Sequence, residues 1–229
     1  MFNKKFNLLK EATEYGFMPY METYILDGKK RPIVVIFPGG GYGMVSEREA
    51  ERIAMAYNAA GFHAAVVYYC VEPHTHPLPI QNAANAVAML RENAEKWNID
   101  TDKVIVCGFS AGGHLASTIA THSAFDVRPN FQILFYPVIT MDKKYTHMGS
   151  HNNLLGSDAS AELEERYSNE KQVTKDTPRA FIVYSDDDKS VPPANGVNYY
   201  LALNANGVPT TLHVYPSGGH GWGIRESFL

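Results

Sequence analysis

Short apolar runs alternate along this chain with longer segments of helical period, and this alternation limits the fold more than any other feature. The runs contain few polar residues, which is typical of strands covered on both faces of a parallel sheet. Six such runs occur, at residues 33–37, 64–71, 104–107, 133–138, 180–184 and 212–215. Alternation of strands and helices predicts an α/β fold with a mostly parallel central sheet and helices on both faces.

Two segments between the runs carry clear helix signals. Ser46 and Glu49 have the S-x-x-E spacing of a capping box, in which each side chain bonds an amide that the first helical turn leaves free. We therefore predict a helix over residues 47–60 that stops at Gly61. Over residues 79–97, apolar side chains recur in steps of three and four, which predicts a second helix with one face on the sheet.

Residues 140–178 break the alternation. They are polar, rich in Asn, Ser, Asp and Glu, and contain one short helix candidate near residues 159–167. This segment follows the run at 133–138, the sixth strand of the expected fold, so we interpret it as a short cap-like insertion near the edge of the sheet. The length of 229 residues fits one domain of this class, and we expect residues 1–229 to form a single domain.

Composition and charge exclude several classes of protein. A content of 45% hydrophobic and 12% aromatic residues can build a core, which excludes a disordered chain. The net charge is −4 and no block of like charge occurs, so we expect no nucleic-acid partner. No apolar run approaches the roughly 18 residues of a membrane span, and no signal pattern stands at the N-terminus. These features predict a cytoplasmic protein with no membrane association.

Gly108 to Gly112 match the pentapeptide G-x-S-x-G, and the position of the match is informative. It lies between the run at 104–107 and a helix-compatible stretch at 111–122. A serine on such a sharp strand-to-helix turn projects its hydroxyl above the edge of the sheet, and flanking glycines avoid collisions within the turn. Ser110 is therefore a candidate nucleophile, and an ordinary glycine-rich turn is the alternative.

A serine hydroxyl needs a base to take its proton and a carboxylate to orient that base. In folds with this turn the chain order is serine, acid, histidine. Among nine histidines, His220 fits this order best, because it stands in a glycine-rich loop directly after the last strand candidate. Such a loop can carry the side chain over the carboxyl edge of the sheet, where sites of open α/β folds form.

The candidate acids are three consecutive aspartates at 186–188, directly after the run at 180–184. One of them should orient His220, and the other two fit a solvated turn or a helix cap. The residues alone leave Asp187 and Asp188 open for this role.

A glycine-rich segment, Pro-Gly-Gly-Gly-Tyr at 38–42, follows the first apolar run. Backbone amides aimed at a developing negative charge stabilise the transition state of acyl transfer. We predict that the amides of Gly40, Gly41 and Ala111 form such an oxyanion hole. The glycine spacing fits neither a dinucleotide loop nor a P-loop, and we expect no cofactor.

His74 and His76 form the most obvious pair of potential metal ligands. No third ligand stands at a recognisable spacing from them. We therefore predict a polar, proline-rich connection at this point and no metal site.

The chain resembles the α/β-hydrolase esterases, specifically the acetyl xylan esterase and sugar acetylesterase group, over about residues 20–223. The resembling stretches are PGGGYGMVSEREAERIA, GFSAGGHLAS, NLLGSDAS, YSNEKQVTKDTP, DDDKSVPPAN and GVPTTLHVYPSGGHGWG. In this group the catalytic aspartate stands three residues before the valine of a Val-Pro pair, which implies Asp188. The resemblance also implies hydrolysis of short acyl esters, typically acetyl groups on xylan-derived sugars, without a cofactor.

Under this resemblance Ser110 attacks the ester carbonyl, and His220 takes its proton and returns it to the leaving hydroxyl. Asp188 stabilises the imidazolium, and the partner is a small acylated molecule.

Five residues are candidates for contacting that substrate. They are Tyr42, His114, Tyr145, His147 and Asn152. Members of the group continue past the catalytic histidine into a final helix, so we expect this helix to be missing here. Either the sequence is truncated or another chain covers the exposed surface, and the second alternative makes a homo-oligomer an expectation as well.

Two other functions compete with this interpretation. Kynurenine formamidases have a similar G-x-S-A-G-x-H turn and cleave an N-formyl amide, but their HGGYW-type loop differs from the Pro-Gly-Gly-Gly segment at 38–41. A catalytically silent binding module on the same fold is the other alternative. Such a module has no need of Ser110, Asp188 and His220 together.

Overall fold

The computed structural model describes residues 2–123 and 127–225, and its centre is an eight-stranded sheet. The strands are β1 (Phe2–Asn7), β2 (Tyr20–Ile25), β3 (Arg31–Phe37), β4 (His63–Tyr68), β5 (Ile99–Phe109), β6 (Phe131–Phe135), β7 (Arg179–Ser185) and β8 (Thr210–Tyr215). Their order across the sheet is β1-β2-β4-β3-β5-β6-β7-β8. The first two pairings, β1 with β2 and β2 with β4, are antiparallel, and all others are parallel.

Six α-helices lie in the described ranges. They are α1 (Glu51–Ala59), α2 (Leu78–Glu92), α3 (Ala111–His122), α4 (Met148–Leu155), α5 (Ala161–Arg166) and α6 (Ala194–Ala205). Two single-turn 3-10 helices, Glu47–Glu49 and Asn169–Lys171, accompany them. Within those same ranges, none of the helices has the length and apolar content that crossing a bilayer requires.

The direction of the crossovers decides which helix covers which face. The chain moves from β3 to its neighbour β4 in one direction, and from β4 across to β5 in the other. Because parallel crossovers are right-handed, α1 covers one face while α2, α3 and α6 cover the other. The packing of α2 against α3 agrees with this assignment. The predicted mostly parallel sheet with helices on both faces is therefore present.

The apolar runs locate the strands β3 to β8, but β1 and β2 were missed. Residues 33–37 and 63–67 are fully buried, as expected of central strands. In contrast, the sequences FNKKFN and YMETYI mix polar and apolar residues without a continuous run. Antiparallel strands tolerate such mixtures, because one of their faces can meet solvent, and β1 also lies at the edge of the sheet.

The helix predicted over 47–60 starts differently from the prediction. The 3-10 turn Glu47–Glu49 precedes α1, and the Ser46 side chain makes no capping hydrogen bond. The Glu49 carboxylate instead accepts a hydrogen bond from the amide of Gly39, at 2.8 Å. The capping-box prediction was wrong because a tertiary contact engages the glutamate that the local rule assigns to the helix.

The segment 140–178 contains two α-helices where one was predicted. Helix α5 lies inside the predicted window of 159–167, whereas α4 was missed. The sequence of α4, MGSHNNLL, is poor in strong helix formers. Its cap is also unusual, because the ring of His147 accepts from the amide of Ser150 in place of a Ser, Thr, Asp or Asn side chain.

The expectation about a final helix concerns the end of the chain. The described residues that follow β8, 216–225, form turns and a loop that carries His220. Residues 226–229 lie outside the described residues.

The close approach of α3 to β3 depends on Gly112. A Cβ atom at this position would lie 2.0 Å from the carbonyl oxygen of Phe37 and 2.4 Å from that of Pro38. Both obstacles are backbone atoms, so the helix or the strand would have to move. We expect Gly112→Ala to lower the free energy of unfolding by about 3 kcal/mol or more, measured by urea denaturation.

A matched control is Gly43→Ala. The nearest atom to a Cβ there is the side-chain nitrogen of Asn153, at 3.1 Å, which can shift. This variant should lose less than about 1 kcal/mol. Equal losses in the two variants would contradict the role given to Gly112.

Candidate active site

Ser110 lies at the turn between β5 and α3, at the carboxyl edge of the sheet. Its φ of +52° is in the left-handed region, which is unusual for a residue with a side chain and is found at functional sites. The turn is tight enough that a Cβ on Gly108 would lie 2.4 Å from the carbonyl oxygen of Gly112. The G-x-S-x-G glycines are thus required by backbone contacts, and the turn aims the serine hydroxyl outward.

His220 links the serine to an aspartate. Its Nε2 lies 2.9 Å from Ser110 Oγ, and its Nδ1 lies 2.7 Å from Asp188 Oδ2. Because an ionised carboxylate only accepts, Nδ1 carries the proton and donates, which leaves Nε2 to accept from the serine hydroxyl. The rings of Tyr136 and His220 pack in a T-shaped arrangement, with centroids 4.9 Å apart. The three predicted side chains therefore form one hydrogen-bonded chain.

Asp188, and not Asp187, contacts the histidine. The second oxygen of Asp188 accepts from the amides of Ser190 and Val191, at 2.8 and 2.9 Å, and the side chain is fully buried. Asp187 is exposed, and its Oδ1 accepts from the amide of Gly219 at 2.8 Å. One aspartate thus orients the imidazole, while its neighbour holds the loop that carries the imidazole.

The amides of Gly40 and Gly41 have no acceptor among the described residues. The carbonyl of Gly39 accepts from the amide of Ser46 at 2.9 Å, and the carbonyl of Gly40 accepts from that of Gly43 at 3.0 Å. Since N–H and C=O point in opposite directions across a trans peptide, these bonds aim the two free amides the other way, towards the cavity beside Ser110.

The amide of Ala111 is fixed in the same manner. The carbonyl of Ser110 accepts from the amides of Gly113 and Val138, both at 3.0 Å. Ala111 also begins α3, where the first amides of a helix have no partner within the helix. All three amides predicted for the oxyanion hole are therefore unoccupied donors in the described part of the chain.

A cavity of about 380 Å³ lies over these groups. Its exposed surface is mainly apolar, although several of the residues that line it carry charged or polar side chains. The lining residues are Gly40, Gly41, Met44, Ser46, Glu47, Arg48, Glu49, Ser110, His147, Ser190, His220 and Gly221. A larger cavity of about 570 Å³ lies at the opposite edge of the sheet, at the amino ends of β6, β7 and β8, and no carboxylate, histidine or cysteine lines it.

Of the five predicted substrate contacts, only His147 lines the cavity, and Tyr42, His114, Tyr145 and Asn152 do not. Tyr42 and His114 are fully buried, with the tyrosine hydroxyl 2.9 Å from Nδ1 of the histidine. Asn152 is exposed and bonds its neighbour His151. The prediction for Tyr42 and His114 was wrong because both side chains are enclosed in the core, and that for Asn152 because its side chain lies away from the cavity wall.

The insertion contributes His147 and Asn153 to this region, whereas Tyr145 does not line the cavity. A Cβ on Gly41 would lie 3.5 Å from the His147 ring, which therefore stands over the glycine loop. Burial and the neighbouring His220 lower the pKa of His147. Asn153 donates to the carbonyl of Gly41 at 2.9 Å. Sequence reasoning missed Asn153, since nothing in the pattern distinguishes it from Asn152.

The buried His114 makes the stability of the fold depend on pH. Its Nε2 lies 2.8 Å from the carbonyl of Tyr167, which can only accept, so the ring is the neutral Nε2–H tautomer and accepts from Tyr42. Burial lowers its pKa from 6.5 to about 4. Between these values the unfolded chain binds a proton that the folded chain does not, so the free energy of unfolding falls as the pH falls through this window.

Between pH 7 and pH 4, the free energy of unfolding should fall by about 3 kcal/mol less in His114→Gln than in the wild type. Glutamine keeps one donor for the carbonyl and one acceptor for the hydroxyl but does not titrate. Urea denaturation of both proteins at several pH values in this range measures the difference. Parallel stability curves would contradict the assignment to His114.

His74 and His76 lie in the connection between β4 and α2. The two ring nitrogens of His74 lie 2.8 Å from the carbonyl of Val71 and 2.8 Å from the hydroxyl of Thr13. In residues 2–123 and 127–225, no three side chains of His, Cys, Asp or Glu converge to hold a metal ion. Both nitrogens of His74 are therefore engaged, one within this connection and the other with the segment between β1 and β2.

The fold and the hydrogen-bonded chain at its carboxyl edge define an α/β-hydrolase. Within this class, the family model BD-FAE matches residues 21–203. The chain belongs to the BD-FAE family, which confirms the resemblance to the α/β-hydrolase esterases.

Relatives and solved structures agree with this assignment. The chain is 40% identical over 200 residues to an acetylxylan esterase of Xylanibacter ruminicola, covering 85% of this chain and 42% of that protein. It is 36% identical over 223 residues to endo-1,4-beta-xylanase B of Butyrivibrio fibrisolvens, covering 90% of this chain and 35% of that protein. The chain thus spans less than half the length of these two relatives.

A solved structure covers the chain almost completely. It is the acetyl ester-xyloside bifunctional hydrolase from Caldicellulosiruptor lactoaceticus, with a TM-score of 0.93 and 35% identity over 99% of this chain and 90% of that chain. The α/β-hydrolase enzyme MGS-M1, from a deep-sea metagenome library, superposes with a TM-score of 0.81 and 32% identity. The predicted fold class is confirmed by these superpositions.

Proposed function

We propose that this protein is a serine esterase that removes short acyl groups, acetyl foremost, from small carbohydrates such as xylo-oligosaccharides. The observation that carries the proposal is the hydrogen-bonded chain of Ser110, His220 and Asp188, which faces the free amides of Gly40 and Gly41. The names of three relatives support the substrate class, because they refer to acetylxylan, to xylan and to an acetyl ester-xyloside.

In the first half of the proposed reaction, Ser110 Oγ attacks the ester carbonyl carbon while its proton passes to Nε2 of His220. The carbonyl oxygen takes the electron pair and receives hydrogen bonds from the oxyanion-hole amides. Asp188 accepts from Nδ1 and stabilises the imidazolium. The tetrahedral intermediate then expels the sugar alkoxide, which takes the proton from Nε2 and leaves an acyl-serine.

In the second half, a water molecule replaces the sugar. His220 takes a proton from the water, and the oxygen attacks the acyl carbon. The second tetrahedral intermediate expels Ser110, whose oxygen recovers the proton. Acetate and the free sugar hydroxyl are the products, and no cofactor enters either half.

The cavity supports a small polar substrate. Its volume of about 380 Å³ is near the lower end of the range for ligand pockets. Arg48, Glu47 and His147 in its wall offer hydrogen bonds to a leaving group rich in hydroxyls, and the small volume leaves little room for a long acyl chain. His147, over the glycine loop, is the residue of the insertion that we assign to contact with the sugar.

We also propose a cytoplasmic location, a small acylated molecule as the substrate, and no nucleic-acid or membrane partner, with homo-oligomers as a further possibility. Cys70 and Cys107 are buried free thiols whose pKa burial raises to about 11 and about 12, as suits a reducing compartment. Cell fractionation tests the location, and enrichment in an extracellular fraction would contradict it.

Parallel hydrolysis of p-nitrophenyl acetate, butyrate and octanoate, of a feruloyl ester and of acetylated xylo-oligosaccharides tests the function. We expect a steep preference for acetate and release of acetate from the oligosaccharides. Turnover of an N-formyl aromatic amide with none of an ester would establish formamidase activity instead. A folded protein without activity on any of these substrates would indicate a binding module.

A further inference from the structure

Glu49 is a buried acidic side chain that the proposed reaction does not use. It is 5% exposed, and none of the salt bridges among the described residues involves it. A buried carboxylate is costly unless its oxygens are hydrogen-bonded. The partners of its two oxygens therefore indicate what the residue does.

One carboxylate oxygen holds the oxyanion loop, residues 38–44. Glu49 Oε2 accepts from the amide of Gly39 at 2.8 Å, and the carbonyl of Gly39 accepts from Ser46 at 2.9 Å. Gly39, which precedes the donor amide of Gly40, is thus held through both its own amide and its carbonyl. A Cβ on Gly39 would lie 2.8 Å from Oε2 and 3.0 Å from Ser110 Cβ, so Gly39 packs closely against both the glutamate and the serine.

The other oxygen holds the histidine loop, residues 216–225, through Tyr136. The tyrosine hydroxyl donates to Glu49 Oε1 at 2.8 Å and accepts from the amide of Gly223 at 2.9 Å. The tyrosine ring packs edge-on against His220 and Trp222, with centroids 4.9 and 5.0 Å apart. Tyr136 itself has a φ of +37°, an unusual backbone for a tyrosine.

We propose that Glu49 is a positioning residue that fixes the oxyanion loop and the histidine loop relative to each other. It is the shared acceptor of two donors, one from each side of the reacting centre. The inference rests on the proposed esterase function, because it concerns the alignment of the oxyanion hole with the Ser110–His220 pair.

The carboxylate is suited to this task and glutamine is not. Gly39 and Tyr136 both donate, so two acceptor oxygens are needed, and the side-chain amide of glutamine offers one. If the tyrosine hydroxyl accepted from a glutamine amide as well as from Gly223, its own proton would lose the acceptor that Glu49 Oε1 provides. Glu49→Gln therefore breaks one link while leaving the size of the side chain unchanged.

The direction of the change in kcat distinguishes positioning by Glu49 from an effect of its negative charge. A negative charge beside the oxyanion hole opposes the charge that develops on the ester oxygen. If charge were the main influence of Glu49, its neutralisation would raise kcat. If alignment is the main influence, Glu49→Gln lowers kcat in spite of the lost repulsion.

The experiment compares Glu49→Gln and Tyr136→Phe with the wild type on p-nitrophenyl acetate. We expect Glu49→Gln to lower kcat about 10- to 100-fold and to change KM less than about threefold, because a misaligned oxyanion hole affects the transition state more than binding. Tyr136→Phe should lower kcat less. The double variant should resemble Glu49→Gln alone, since both changes break one linked network.

A matched control is Glu170→Gln. This partly buried carboxylate accepts from the Thr140 hydroxyl at 2.8 Å and does not line the cavity. It should lose stability without a change in kcat. A folded Glu49→Gln protein with wild-type or higher kcat, or one with raised KM alone, would overturn the proposal, as would additive losses in the double variant.

The rate of Ser110 labelling by a fluorophosphonate separates this inference from the proposed function. Labelling requires the activated serine and the oxyanion hole but no natural substrate. A wild type that labels yet hydrolyses no ester would refute the esterase proposal, and slower labelling of Glu49→Gln would still support the positioning role. If Glu49→Gln does not fold, unchanged labelling and kcat in Tyr136→Phe overturn the inference.

Discussion

Ser110→Ala should reduce the turnover of p-nitrophenyl acetate by at least about 10⁴-fold. The expected loss is large because the variant lacks the atom that forms the acyl-enzyme, and the remaining amides of the oxyanion hole can assist only a slow attack by water. The fold should persist, since Ser110 lies at the edge of the sheet and alanine has no added atoms to accommodate. Turnover, fluorophosphonate labelling and circular dichroism measured together would check the loss of the nucleophile and the persistence of the fold.

A buried serine of the adjoining helix provides the control for this substitution. Ser117 donates to the carbonyl of Gly113 at 2.9 Å and does not line the cavity. Ser117→Ala should therefore lower stability and leave labelling intact. If Ser110→Ala retained more than a few per cent of the wild-type activity, the assignment of the nucleophile would be wrong.

Asp188→Asn should lower kcat by about 10³- to 10⁴-fold, the second largest effect we expect. An asparagine amide in this place can donate to Nδ1, which favours the tautomer with its proton on Nε2. That nitrogen then cannot accept from the Ser110 hydroxyl. The variant also loses the charge that stabilises the imidazolium, so the loss should appear mainly in kcat.

Asp187→Asn is the comparison, because the two aspartates are adjacent and both support the histidine. The side-chain oxygen of asparagine can still accept from the amide of Gly219, so this variant should lose less than about tenfold. Steady-state kinetics on p-nitrophenyl acetate measure both variants. Similar losses, or a larger loss in Asp187→Asn, would reverse the roles given to the two residues.

The parts of the fold that sequence could predict are those with a strong local signal. Strands β3 to β8 are apolar enough to be recognised singly, and the G-x-S-x-G turn needs its glycines because backbone atoms surround Gly108 and Gly112. The triad candidates could be found for a related reason. The serine, the acid and the histidine follow one another in a fixed chain order, and this order distinguishes them from other residues of the same types.

The predictions failed where distant parts of the chain decide the outcome. Glu49 stands in a good capping box, yet its carboxylate bonds Gly39 and Tyr136 across the fold. Tyr42 and His114 stand within catalytic motifs, yet they bond each other in the core. Rules for helix capping and for motifs consider only neighbouring residues, so they cannot predict contacts between residues that are far apart in the chain. Conflicts between such local rules and the fold are expected near functional sites.

The insertion between β6 and β7 supplies neither nucleophile, base nor acid, yet it brings His147 to the cavity and Asn153 to the carbonyl of Gly41. Under the proposed function, the insertion therefore adds to substrate choice, while bond cleavage is carried by other stretches of polypeptide. On that proposal, exchange of the insertion in evolution or in protein engineering should alter which sugar is accepted and leave Ser110, Asp188 and His220 unchanged. The exchanged insertion would need a side chain that donates to the carbonyl of Gly41, as Asn153 does.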